Sequence, residues 1–510
     1  MRQDREPPPL TGPSDLAAFA RGFEPYSFLT QIWFVADAEH SDTPLGRMYP
    51  GPKATANVFT PWGLAHLARY ALEHGSPGAR PGGSAGDVVN GVNIVNGLVD
   101  PLPPNDTREL RDWGVFLMRL GNKQFAFQTG LRQRLARMLT LFIDLPPQVP
   151  QAAAYDPARR FNEVTGVTID QFVWTCFLFH IAAAKGPIVD AEAVGRHELE
   201  PLRDMVTPET VAKVIPLVSC TRKDFIERVQ RETAGMVDER HDHFAFNPLY
   251  AAPLIAMPES TKQFVVPVPR LILERILEAP YYLLLEADGD RFTGPFGYVF
   301  EAYVGWLLKP HLADRLHPEL SYGKNSKSSD WIVNDAAGAA LLECKTGRLN
   351  KAVKTVAPIE AVADAVTTHY GKAVRQLHRV VTESAANTPG LELLADRELA
   401  PLIVLLDPVY LANSPLWEPF RARAKATYGV PPDFDPQICS VTALERLAPT
   451  LAGTELVSVI RNKVNDLDKR FWDWETFVPS LAPNENPALK ERFVKFMTPL
   501  GGLSDEDADN

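Results

Sequence analysis

A chain of 510 residues, 45% hydrophobic and 23% charged, is too long for one core and has the balance of a water-soluble protein of two or three domains. Its net charge of −11 excludes a basic coat for polyanions over the whole surface. Its four cysteines, Cys176, Cys220, Cys344 and Cys439, show no CxxC spacing, which excludes a disulfide framework or a cysteine zinc site and points to a reducing compartment.

The opening MRQDREPPPLTGPSD is polar and proline-rich, with no apolar segment of a signal peptide. Residues 1–285 read as a mainly helical region, in one or two subdomains, with a recognition or regulatory role. PWGLAHLARYALEHG, TRELRDWGVFLMRLG and GLRQRLARMLTLFID carry apolar residues at helical spacing, and loops are expected at 74–86 and 101–106. The longest apolar run, 172–184, is too short to cross a bilayer and reads as a buried helix, so a cytoplasmic protein with no membrane partner is expected. RHDHF, 240–244, offers a His-x-His pair but reads as a solvated loop.

From EADGDRFTGP, 286–295, the pattern changes. A helix, FGYVFEAYVGWLL, precedes short strands in LSYG, SDWIVN and ALLECKTG. A long amphipathic helix over 358–384 follows, then an apolar strand, LAPLIVLLD, and a strand running into a helix, QICSVTALERL. Helix, three strands, helix, strand is an α/β order. It sets an α/β domain at 286–460 and a helical extension at 461–510 that closes in the acidic tail LSDEDADN.

SDWIVN and ALLECKTG read as an antiparallel hairpin turning through DAAG, 335–338. Asp330 and Glu343 are equidistant from the turn centre and become cross-strand partners on one face. Alternation puts Lys345 on that face and the Cys344 side chain on the other. Two opposed carboxylates repel unless a cation lies between them, and a hard divalent ion such as Mg²⁺ or Mn²⁺ suits their oxygens, with the Cys344 carbonyl as a further ligand. Lys345 would orient or help deprotonate a water, or steady a developing oxyanion.

At Asp330 and Glu343-Cys344-Lys345 the chain resembles the PD-(D/E)XK nuclease superfamily, with Ser329 where the nominal proline stands. The resemblance covers roughly residues 291 to 410, perhaps to 450, and implies a restriction-endonuclease-like core, a central mixed sheet flanked by helices, behind the helical N-terminal region. It also implies a Glu on the helix before the sheet, where Glu301 stands between Gly297 and Gly305, placed there to aim the carboxylate at the metal. Many members carry Gln or Lys on the helix after the Glu-x-Lys strand. That helix has an apolar stripe (Ile359, Val362, Val366, Ala373, Leu377, Val380) and a polar one (His369, Lys372, Gln376, Arg379), from which Gln376 is expected to contact a phosphate or water.

Residues 321–380 hold nine Lys/Arg against five Asp/Glu, a basic patch on an acidic chain. Lys324, Lys327, Arg348, Lys372 and Arg379 are therefore expected to bind substrate. The expected activity is Mg²⁺- or Mn²⁺-dependent phosphodiester hydrolysis, on DNA in preference to RNA. No GxxxxGK[ST] loop is present, so any ATP-driven motion would come from a partner ATPase; a homo-oligomer is the alternative assembly expected. By analogy of fold, a restriction or anti-phage defence effector would fit; the competing reading is a scaffold on a nuclease-like fold that has lost activity.

Overall fold

Gly289, at φ 53°, breaks the chain between two helices, Arg270–Asp288 and Asp290–Leu312, and the longest segment of the second of two units begins there. The computed structural model describes residues 12–36, 59–98, 102, 109–124, 130–234, 236, 238–347, 351–481 and 485–500. Arg348, the acidic tail, most of the proline-rich start and nearly all of 101–106 lie outside these.

The first unit comprises Met1–Pro101, Phe127–Leu131 and Pro157–Asp288. It is mainly helical, as its periodicity implied. Thr60 caps helix Pro61–His74, and a Thr168/Gln171 capping box opens helix Ile169–Lys185, whose apolar run is buried from Phe172 to Cys176 and at Leu178, Phe179 and Ala183 but exposed at Ile181. The unit also holds a four-stranded sheet of two- and three-residue strands, Ile188–Asp190, Gln263–Val265, Leu254–Ala256 and Ser219–Cys220 in spatial order, too short to leave a pattern. RHDHF is a 3₁₀ helix rather than a solvated loop: Asp242 is buried between Arg69 Nη2 and the Tyr70 hydroxyl, each at 2.5 Å.

The second unit is built from Leu102–Ala126, Arg132–Asp156 and Gly289–Asn510, and is mixed α/β. Its helices include α1 (Leu110–Gln124), α2 (Leu131–Leu139), α3 (Asp290–Leu312), α4 (Ile359–Ala385), α5 (Glu418–Thr427), α6 (Val441–Leu447) and α7 (Leu456–Asn465). Its five-stranded sheet is made of β1 (Leu316–Pro318), β2 (Trp331–Asp335), β3 (Gly338–Lys345), β4 (Leu399–Leu405) and β5 (Gln437–Ser440). Spatial order is β5-β4-β3-β2-β1, with β1–β2 and β2–β3 antiparallel and β3–β4 and β4–β5 parallel.

The expected boundaries at 285/286 and 460/461 differ from these units. The earlier segments belong to the second unit because it buries them. Val115 and Met118 of α1 lie in one apolar cluster with Ile332, Leu341 and the buried stripe of α4. The carboxylate of Glu445, wholly buried, accepts from Arg137 of α2 at 2.6 and 2.8 Å and from the Tyr303 hydroxyl at 2.5 Å. The residues after 460 complete the same unit rather than forming an extension, Trp474 being fully buried.

Of the α4 stripe, Val362, Val366, Ala373, Leu377 and Val380 are buried and Ile359 is partly so. Each fully buried Val or Leu contributes about 1.5–3 kcal/mol. β3 does not alternate between buried and exposed: all its residues but Lys345 are buried, because helices cover both faces of the sheet. Cys344 is therefore in the core, as expected, but so is Glu343 at 0% exposure.

Candidate active site

The hairpin register is the one the turn dictates. Asp335 pairs with Gly338 and Trp331 with Leu342, so one further step sets Asp330 opposite Glu343, at the end of the ladder. There the Cys344 N–H donates to Asp330 Oδ2 at 2.7 Å. A strand residue presents its C=O to the same side as its N–H, so the Cys344 carbonyl opens towards Asp330 as well. The Lys345 ammonium donates to Glu343 Oε1. Glu343 Oε2 is buried and has no hydrogen-bond partner among the described residues.

The other end of the hairpin shows what a structural carboxylate looks like in this fold. Asp335 is also buried, but Arg315 Nη1 donates to Oδ1 at 3.0 Å and the Val457 N–H to Oδ2 at 3.1 Å. Asp335 is satisfied and Glu343 is not. A buried carboxylate oxygen left without a donor costs about 1–3 kcal/mol or more, so the difference needs a reason.

Electrostatics mark the same end. Burial, then the charge of Asp330, pushes the Glu343 carboxyl up to about 8 against the pull of Lys345. Burial raises the Asp330 carboxyl despite Lys345 and the Cys344 N–H. Burial would lower the Lys345 ammonium, but Glu343, the hydrogen bond to it and Asp330 outweigh burial and raise it.

Glu301 is held from α3. The Trp331 indole N–H donates to the Glu301 carbonyl at 2.8 Å, and a Cβ on Gly305 would overlap the indole ring. Gly305 thus gives the close approach expected of it. Gly297 does not, since a Cβ there meets nothing within 4 Å. Trp331 lies on the opposite sheet face from Asp330 and Glu343, so Glu301 is tied from the far face of the sheet. Its carboxyl is nevertheless coupled to the site: burial first, then Asp330 and Glu319, push it up to about 7.

The expected substrate contacts divide. Gln376 donates one N–H of its amide to the Ser328 carbonyl at 3.1 Å and so braces the segment leading into Asp330. Lys327 is exposed, but its ammonium is bonded at 2.6 Å to Glu319. Arg379 donates at 3.4 Å to the Lys327 carbonyl and lies 5.8 Å from the Tyr322 ring centroid, its side chain remaining exposed. Lys324 and Lys372 are exposed. Arg348 falls outside the described residues. Sequence reasoning missed Glu319 and Trp331; nothing in HPELSYG flags a lone Glu, whereas an aromatic directly after the motif Asp was a usable signal.

Among the described residues, no three His, Cys, Asp or Glu side chains are gathered closely enough to hold a metal as they stand. The donors present are all the same hard oxygen type: Asp330, Glu343 with its unpartnered Oε2, the Cys344 carbonyl, and Glu301 coupled to Asp330. A buried carboxylate whose pKa the neighbouring Asp330 raises, with one oxygen lacking a donor among the described residues, fits a hard divalent cation. No family model, no curated protein and no solved structure matches this chain.

Proposed function

We propose that the protein is a Mg²⁺- or Mn²⁺-dependent nuclease of the PD-(D/E)XK type, hydrolysing phosphodiester bonds in DNA in preference to RNA. The observation that carries this is Glu343: buried, half-unsatisfied, opposite Asp330 and bonded to Lys345, while Asp335 of the same hairpin is fully paired. The strand order and the helices on both sides of the mixed sheet support a restriction-endonuclease-like core.

Asp330, Glu343 and the Cys344 carbonyl would hold the cation, with Glu301 completing the set directly or through water. A bound divalent ion supplies Lewis acidity to a phosphate oxygen and lowers the pKa of a water. Lys345, one residue beyond the ligands, holds and orients the attacking water or steadies charge on the phosphate. Gln376 keeps the Ser328–Asp330 segment in place. Lys372, Arg379 and Lys324 supply exposed positive charge for the phosphate backbone, as a positioning rather than a sequence-reading contact.

The test is incubation of plasmid DNA, single-stranded DNA and RNA with the full chain in Mg²⁺ or Mn²⁺ and in EDTA. Cleavage that needs the ion and is lost in Asp330→Ala supports the reading. Undiminished cleavage in EDTA would overturn the metal mechanism, and cleavage of no substrate under any condition would favour the scaffold reading.

A further inference from the structure

Lys345 holds Glu343 by one oxygen, and the other has no donor among the described residues. Glu343 has no exposure, so only neighbours can balance its charge. Asp330 has the same sign, and the Cys344 N–H is committed to Asp330. The Lys345 side chain is 30% exposed, so its ammonium, unlike Glu343, has water within reach. We propose that Lys345 is the resident counter-ion of the metal-free site and sets its affinity for divalent cations: the ion takes over the carboxylate that the ammonium holds, so metal binding is an exchange. This rests on the nuclease reading above and adds that Lys345, besides its work on the water, is released for that work only when the cation arrives.

The exchange has two consequences that a water-orienting lysine alone would not have. Without the ammonium, the buried Glu343 carboxyl of the metal-free protein loses the donor that holds it, and the protein is less stable. With nothing to displace, the cation binds more tightly, by about ten- to a hundredfold if the lost contact is an ordinary charge-assisted hydrogen bond.

Mn²⁺ affinity by titration calorimetry and Tm with and without Mn²⁺ are measured on the full chain for wild type, Lys345→Met and Lys345→Gln. The expected result is tighter Mn²⁺ binding in both variants, a lower Tm without metal, and a Tm deficit that closes at saturating Mn²⁺. The Gln variant carries the test should the Met variant not fold. Unchanged affinity, or tighter binding with an unchanged metal-free Tm and strong salt dependence, overturns the exchange, since the second result is what a charge acting only at a distance gives. A wild-type chain that binds no Mn²⁺ at millimolar concentration overturns the metal reading itself. Wild-type binding with indifferent variants overturns the exchange alone.

Discussion

Glu343 is buried with one carboxylate oxygen that no described donor reaches. Its folded-state carboxyl stands near 8, against an ordinary value of 4.5. An acid whose pKa is raised on folding binds its proton more tightly in the native state, so its contribution is present at low pH and is lost as pH rises from about 4.5 towards about 8. Metal-free protein should therefore lose Tm across that window, and Glu343→Gln should flatten the slope; a wild-type Tm that rises through it would contradict the environment described here. In activity, Asp330→Ala and Glu343→Ala should abolish cleavage, whereas Gln376→Ala should cost roughly ten- to a hundredfold, seen in kcat, because it removes one brace on the Ser328 carbonyl. A Gln376→Ala enzyme as dead as Asp330→Ala would mean that Gln376 is a direct participant. The opposition of Asp330 and Glu343 was legible because a turn centred in DAAG leaves one register. The Lys327–Glu319 pair was not, since exposed Lys and Glu close through space without a sequence spacing that announces it.

Among elements, the joint between α3 and β2 carries the most consequence. Trp331 packs onto the gap left by Gly305 and bonds the Glu301 carbonyl, so helix and strand are fixed to each other beside the site. Gly305→Ala should overpack this joint, costing about 1–3 kcal/mol of stability and lowering cleavage with it. Gly297→Ala has open space and a helical backbone, and should be neutral or gain about 0.5–1 kcal/mol. Urea unfolding of the two variants checks the pair, and equal effects would contradict the assignment. Periodicity located both α3 and α4, but treated the two glycines alike, since it cannot know which faces an indole. It also expected alternation along β3, where helices on both faces bury successive residues.

For the molecule as a whole, the second unit is discontinuous in sequence, which no local pattern reveals. The helices over 110–124 and 131–139 were legible as helices, but their partners were not, because a buried pair such as Arg137–Glu445 spans most of the chain. A fragment starting at residue 289 lacks α1 and α2 and leaves Glu445, fully buried, without Arg137. Removing one partner of a buried ion pair costs about 3–5 kcal/mol, so the fragment should be insoluble or unfold without cooperativity, and Arg137→Ala should destabilise the full chain by a similar amount. A soluble 289–510 fragment with a sharp thermal transition would contradict this architecture. The claim on which all the rest depends is that a divalent cation and a phosphate meet at the end of the β2–β3 hairpin. It is tested most directly by the anomalous difference map of a crystal soaked with Mn²⁺ and a phosphorothioate oligonucleotide. The account predicts a Mn²⁺ peak bonded to both Asp330 and Glu343 with a backbone phosphate on it; full Mn²⁺ and oligonucleotide occupancy elsewhere, with those carboxylates bare, would contradict it.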